Sequence, residues 1–174
     1  DKDKWLYFVM RLQQFTGPLM AKGVEDTVLY IYNRLISLNE VGSTPSKFGV
    51  SVEDFHGFNQ HRIAYWPHTM SGTSTHDTKR GEDVRTRINV LSEIPEEWES
   101  YLQKWQEINA PQKDCVGGID VPAPNDEYFL YQTLLGAFPV DESEYPTFVE
   151  RIKEYIIKAI REAKVNTGWL RPDD

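Results

Sequence analysis

Apolar residues recur at helical spacing along almost the whole chain, and proline or glycine punctuates the stretches between them. Trp5, Phe8, Val9 and Leu12 fall at i, i+3, i+4 and i+7 and predict an amphipathic helix with a core-facing stripe, stopped by Thr16-Gly17-Pro18. Glu25 and Asp26 place acids where a second helix would begin, and Val28, Tyr32, Leu35 and Ile36 carry its stripe to about Leu38. Ser51 with Asp54 resembles a capping box for a third helix through Phe55, Phe58, Ile63 and Trp66, closed by Pro67. Val84, Ile88 and Leu91 define another, with Asp83 and Arg87 spaced to pair on its outer face. Pro95 opens a helix that lines up Trp98, Leu102, Trp105 and Ile108. Asn125 is placed to cap one carrying Tyr128, Tyr131, Leu134, Leu135 and Phe138, and Pro146 opens the last, with Phe148, Ile152, Tyr155, Ile156, Ala159 and Ala163 inward. Strand-like alternation is too scarce to build a sheet, so any strand near 68–72 should be absent or isolated.

The expected fold is therefore mainly α, an irregular bundle of about six to seven helices in one helical domain spanning 1–174. Residues 110–124 hold Pro111, Gly117, Gly118, Pro122 and Pro124 and read as a flexible connector.

Charge and cysteine usage weigh against several classes of function. A net charge of -8 argues against general binding to nucleic acid or an anionic membrane, since both need a basic face. No apolar run approaches the ~20 residues of a membrane span. Cys115 is the sole cysteine, so no internal disulfide forms, and a reducing, cytoplasmic setting is expected. With Lys113 as its one basic neighbour, Cys115 is no candidate nucleophile.

Chemistry concentrates between Thr73 and Arg87, in the run T-S-T-H-D-T-K-R-G-E-D-V-R-T-R. Hydroxyls and Gly81 make its first part a loop, and Glu82 and Asp83 open the helix that follows. The plain reading is a solvated connector in which Asp77 or Thr78 caps that helix. The sharper one is a ligand site, because a His donor, a carboxylate and a Lys donor suit a polyhydroxylated or anionic ligand. Lys22, in an otherwise apolar stretch, is either an edge residue or a ligand donor. The adjacent Glu25 and Asp26 point about 100° apart on a helix and do not form an acid/base pair. His56 and His61 are not spaced as metal ligands on one helical face.

Long, ordered matches connect this chain with a known family. S-T-H-D-T-K-R-G-E-D-V-R resembles the fourth signature region of the α-amylase clan as found in maltooligosyltrehalose synthase. The matches continue with F-V-M-R-L-Q-Q-F-T-G-P-L-M-A-K-G-V-E-D-T from Phe8, Y-N-R-L-I-S-L-N-E-V-G from Tyr32, F-G-V-S-V-E-D-F-H from Phe48, W-P-H-T-M from Trp66 and Y-Q-T-L-L-G-A-F-P from Tyr131. The resemblance implies an excerpt of a larger (β/α)8-barrel enzyme with helical insertions. That enzyme turns the reducing-end α-1,4 bond of a maltooligosaccharide into an α,α-1,1 bond by intramolecular transglucosylation. It further implies that Asp77 is the transition-state carboxylate, that His76 bonds a hydroxyl of the same sugar, and that Lys79, Lys22 and Arg80 serve substrate binding. No cofactor or metal is expected.

The family's nucleophile and acid/base motifs are not found in this chain, which opens at Asp1 without an initiator Met. The expected partners are a maltooligosaccharide and the remainder of the barrel, and the isolated chain is expected to be inactive. Two other classes remain. One is a non-catalytic carbohydrate-binding or interaction module. The other is a metal-dependent phosphohydrolase of the His-Asp type, recruiting His56 and Asp120 or Asp126.

Overall fold

Proline sits in the first turn of three helices, where its missing N–H costs nothing and its fixed φ already suits the helix. In a computed structural model describing residues 1–173, these are α4 (Pro95–Asn109), α5 (Pro124–Ala137) and α6 (Tyr145–Ala163). Three further helices precede them: α1 (Lys2–Pro18), α2 (Val52–Tyr65) and α3 (Glu82–Asn89). The architecture is the expected irregular, mainly helical one. One small sheet interrupts it within 110–124, where β1 (Asp114–Val116) and β2 (Ile119–Val121) pair antiparallel with Val116 opposite Ile119. Gly117 and Gly118 both take positive φ in the turn between them, a conformation that glycine adopts without a Cβ penalty.

The core lies where α3, α4, α5 and α6 meet. Ile88, Leu91, Trp98, Phe129, Tyr131, Ala159 and Ala163 are buried there, with Tyr30 and Ile36 from the segment before α2. Helices α3 and α5 approach closely at Gly136, where a Cβ would stand 2.8 Å from Ile88 Cδ1. The stripes read from sequence on α3 and α6 do face this core. Ile108 at the end of α4 does not, and Arg87 donates to the carbonyl of Phe138 at 2.7 Å instead of meeting Asp83. Asn125 lies inside α5, whose N-cap is Ala123; its amide reaches across to the carbonyl of Ile31 at 3.0 Å.

The helix expected from Glu25 to Leu38 does not form. Two short 3-10 turns, Val28–Tyr30 and Ile36–Leu38, stand in its place. Side chains supply what a helical ladder would have supplied. Gln132, wholly buried, accepts from Ile36 N at 2.9 Å and donates to the carbonyl of Asn33 at 2.8 Å. Tyr128 donates to the carbonyl of Arg34 at 3.1 Å, while Asn39 Nδ2 donates to the carbonyls of Leu29 (2.9 Å) and Tyr32 (2.7 Å). Buried peptide groups must be paired with something, and α5 together with Asn39 of the segment itself pairs them here.

Two expectations about α1 are also overturned. It passes Gly17 and ends at Pro18, because a proline in the last turn removes a single donor and Leu19 N still reaches the carbonyls of Phe15 and Thr16. A π-helical stretch, Leu19–Glu25, then continues the path. The α1 stripe is not core: Trp5 is 69% exposed, and Phe8, Val9 and Leu12 are exposed with it. Phe55, Phe58, Ile63 and Trp66 on and beside α2 are likewise exposed. Periodicity marked these faces correctly as apolar; among the described residues nothing covers them.

Candidate functional site

Hydroxyls and backbone amides of the Thr73–Arg80 loop hold one turn in place. Thr78 N and Thr78 Oγ1 both donate to the carbonyl of Thr75, at 3.2 and 2.7 Å, so His76 and Asp77 occupy the two central positions of a β-turn. On the entry side, Thr73 Oγ1 and Ser74 Oγ donate to Glu82 Oε2 at 2.9 and 2.5 Å. Glu82 N returns a bond to Ser74 Oγ at 3.2 Å, and the Arg85 guanidinium donates to the carbonyl of Thr73. The hydroxyls of Ser74 and Thr73 hold the Glu82 carboxyl below the usual glutamate range. The helix that follows is capped by Gly81, with Ser74 serving its first amide; Asp77 and Thr78 do not cap it.

On the exit side the loop is gripped by Glu40. Its Oε1 accepts from Lys79 N at 2.6 Å and its Oε2 from Arg80 N at 3.3 Å. Arg80 is buried, donates from Nη1 to the carbonyl of Ile36 at 3.1 Å, and lays its guanidinium 5.5 Å from the centre of the Phe129 ring. Its Nη2 has no hydrogen-bond partner among the described residues.

Lys79 turns its ammonium onto Asp26 Oδ1 at 2.7 Å, beside the face of Tyr30 at 5.4 Å, and its side chain is only 11% exposed. The other oxygen of Asp26 takes Lys22 at 2.5 Å. Burial alone would raise the Asp26 pKa, but the hydrogen bonds and charges of Lys22 and Lys79 outweigh it and the pKa falls. The same bond with Asp26 raises Lys22. Thr27 Oγ1 ties to the Lys22 carbonyl at 2.8 Å, which closes the π-helical stretch against the next turn.

That leaves the tip. The side chains of His76 and Asp77 are 92% and 69% exposed and lie 3.4 Å apart, Nε2 to Oδ1. Of the sequence candidates, the fold thus joins Lys22 and Lys79 through one carboxylate, presents His76 with Asp77 at the turn, and seats Arg80 beneath them. The sequence pattern gives Asp26 only the role of a helix-start acid and gives Glu40 none, yet both hold the site. The Lys22–Asp26 spacing of four was a usable signal, hidden by ending the first helix too early. Glu40 left no local trace, since its partners lie 39 and 40 positions away.

His56 packs against Phe55 on α2, Asp120 lies in β2, and Asp126 is in the first turn of α5. No three His, Cys, Asp or Glu side chains come together as a possible metal site among the described residues. None of the described helices is long and apolar enough to cross a membrane.

No family model matches the chain. A Mycobacterium tuberculosis protein named as a maltooligosyl trehalose synthase is 44% identical over 164 residues, which make up 94% of this chain and 20% of that protein. A crystal structure from Sulfolobus tokodaii, titled a hypothetical maltooligosyl trehalose synthase, shares 46% identity. It superposes with a TM-score of 0.83 over 98% of this chain and 22% of its own. The maltooligosyltrehalose synthase from Arthrobacter ramosus shares 38% identity with a TM-score of 0.80, over 95% of this chain and 20% of its own. The chain spans about a fifth of the length of these relatives. The resemblance read from its motifs holds in both sequence and three-dimensional structure.

Proposed function

We propose that these residues form one edge of a maltooligosaccharide site, in an enzyme that converts the reducing-end α-1,4 bond into an α,α-1,1 bond by intramolecular transglucosylation. The observation that carries this reading is the division of labour in the loop. Thr73, Ser74, Thr75, Thr78, Lys79 and Arg80 hold the turn, while His76 and Asp77 point a hydrogen-bonding imidazole and a carboxylate into solvent. The similarity to maltooligosyl trehalose synthases supplies the reaction class.

In that reading Asp77 stabilises the distorted, positively charged sugar of the transition state, where a fixed negative charge acts more strongly than on the neutral ground state. His76 donates to a hydroxyl of the same sugar, and the exposed Lys22 lines the neighbouring acceptor side, with the enclosed Lys79 behind it holding their shared partner Asp26 in place. Arg80 serves the ligand by fixing the loop from below. A double displacement also needs a nucleophile and an acid/base, and these come from outside the 174 residues, so the isolated chain is inactive. No cofactor enters the chemistry, and a cytoplasmic setting fits the lone, exposed Cys115.

The test is a segment exchange. This chain replaces the matching fifth of the Sulfolobus tokodaii protein, and the chimera is assayed for conversion of maltopentaose to a non-reducing product. Turnover that falls about 10²–10³-fold on Asp77→Asn supports the reading. An Asp77→Asn chimera that keeps the rate of its parent overturns it.

A second reading, a carbohydrate-binding or interaction module, draws on the exposed Trp5 and Trp66. Sugar would then stack on those rings, and Asp77→Ala would leave binding intact.

A further inference from the structure

We propose that Glu40 is the positioning residue of the Thr75–Thr78 turn: through the backbone amides of Lys79 and Arg80, its carboxylate fixes where Asp77 stands in the reaction. This rests on the functional reading above and extends it to a residue outside the signature motif.

The argument begins with the amides. Lys79 N and Arg80 N are successive donors at the point where the loop turns toward α3, and no helix or strand is there to accept from them. An ionised carboxylate offers two oxygens with lone pairs to spare and takes both in charge-assisted bonds. Glu40 is itself held. Its Oε1 also accepts from Val41 N at 2.9 Å, its own N–H donates to Ser43 Oγ at 3.1 Å, and its carbonyl accepts from Ser43 N at 2.9 Å.

Behind Glu40 stands a continuous polar connection to α5. Asn39, nearly inaccessible, binds the carbonyls of Leu29 and Tyr32, and Gln132 binds Ile36 and Asn33. Arg80 returns to the same segment through the Ile36 carbonyl. The turn tip is therefore tied through residues 36–40 to a buried side chain of a core helix. Asp77 lies two residues from the grip, close enough for a slack loop to displace it. A misplacement of about 1 Å in a catalytic geometry costs on the order of 10²-fold in rate.

Two measurements test this together. In the 174-residue chain, Glu40→Ala should speed hydrogen exchange of the Lys79 and Arg80 amides about 10-fold or more, with the α5 amides unchanged. In the chimera, the same substitution should lower kcat about 10²-fold, with KM altered much less. Glu40→Gln, which keeps one acceptor oxygen, should recover part of both effects; if Glu40→Ala does not fold, Glu40→Gln carries both readouts against the unsubstituted protein. Unchanged exchange at Lys79 and Arg80 overturns the grip, and an unchanged kcat overturns the positioning role. Failure of the unsubstituted chimera to convert maltopentaose defeats the functional reading and the role in turnover with it, while exchange still decides the grip.

Discussion

Asp26 Oδ1 lies 2.7 Å from Lys79 Nζ, joining residues 53 positions apart, and the same carboxylate takes Lys22 on its second oxygen. One acid thus serves two lysines of very different exposure: Lys79 is nearly enclosed against Tyr30, and Lys22 is open to solvent.

Removing that acid should cost stability chiefly through Lys79. Asp26→Ala leaves an enclosed ammonium without its anion and should destabilise the fold by about 1–3 kcal/mol, the usual penalty for leaving a buried donor unsatisfied, kept from rising further by the ammonium's remaining exposure. Urea denaturation measures it. Adding Lys79→Met to Asp26→Ala should restore most of the loss, whereas adding Lys22→Met should not.

The pH dependence of this bridge follows from the shifts. The Asp26 carboxyl is held below its ordinary value of 3.8, so its contribution is complete above that value and is lost as pH falls through the folded pKa. Lys22 is raised, so its contribution is present below its ordinary value of 10.5 and lost as pH rises through the folded pKa. Carbon-13 titration of the carboxyls should place Asp26 below 3.8 and Glu82 below 4.5. Ser74→Ala should return Glu82 toward its ordinary value.

Gln132 closes the irregular segment onto α5 and has no apolar substitute. Gln132→Leu leaves Ile36 N and the Asn33 carbonyl buried without partners. Two such penalties amount to roughly 2–6 kcal/mol. Thermal unfolding of the variant should show a loss in that range despite the gain in hydrophobic volume.

Gly136 is required by proximity, not by backbone conformation. A Cβ there would meet Ile88 Cδ1 at 2.8 Å and Val84 Cγ1 at 2.9 Å, and Ile88 is fully buried. Gly136→Ala should therefore destabilise by about 1–2 kcal/mol even though alanine favours the helix. Combining it with Ile88→Val, which removes the nearest atom, should recover part of the loss in denaturant melts.

These substitutions also mark how far the sequence could be read. Helices α4 and α6 were legible because a proline opens each, a repeat of apolar residues follows, and both face one core. Residues 28–38 carry the same period yet form no regular helix, since their partners are side chains up to 99 positions away and periodicity does not register them. At the loop, the His76-Asp77 motif was visible as a string of residue types. Which of its side chains hold the turn was not, because that depends on Glu40 and Asp26 arriving from elsewhere in the chain.

The turn at Thr75–Thr78 has a practical consequence for engineering. Its frame is built from flanking hydroxyls, two backbone amides and distant carboxylates, and it borrows nothing from the side chains at its summit. Positions 76 and 77 therefore behave as a socket: a combinatorial library confined to them would exchange the chemistry on display while the mount beneath keeps its shape.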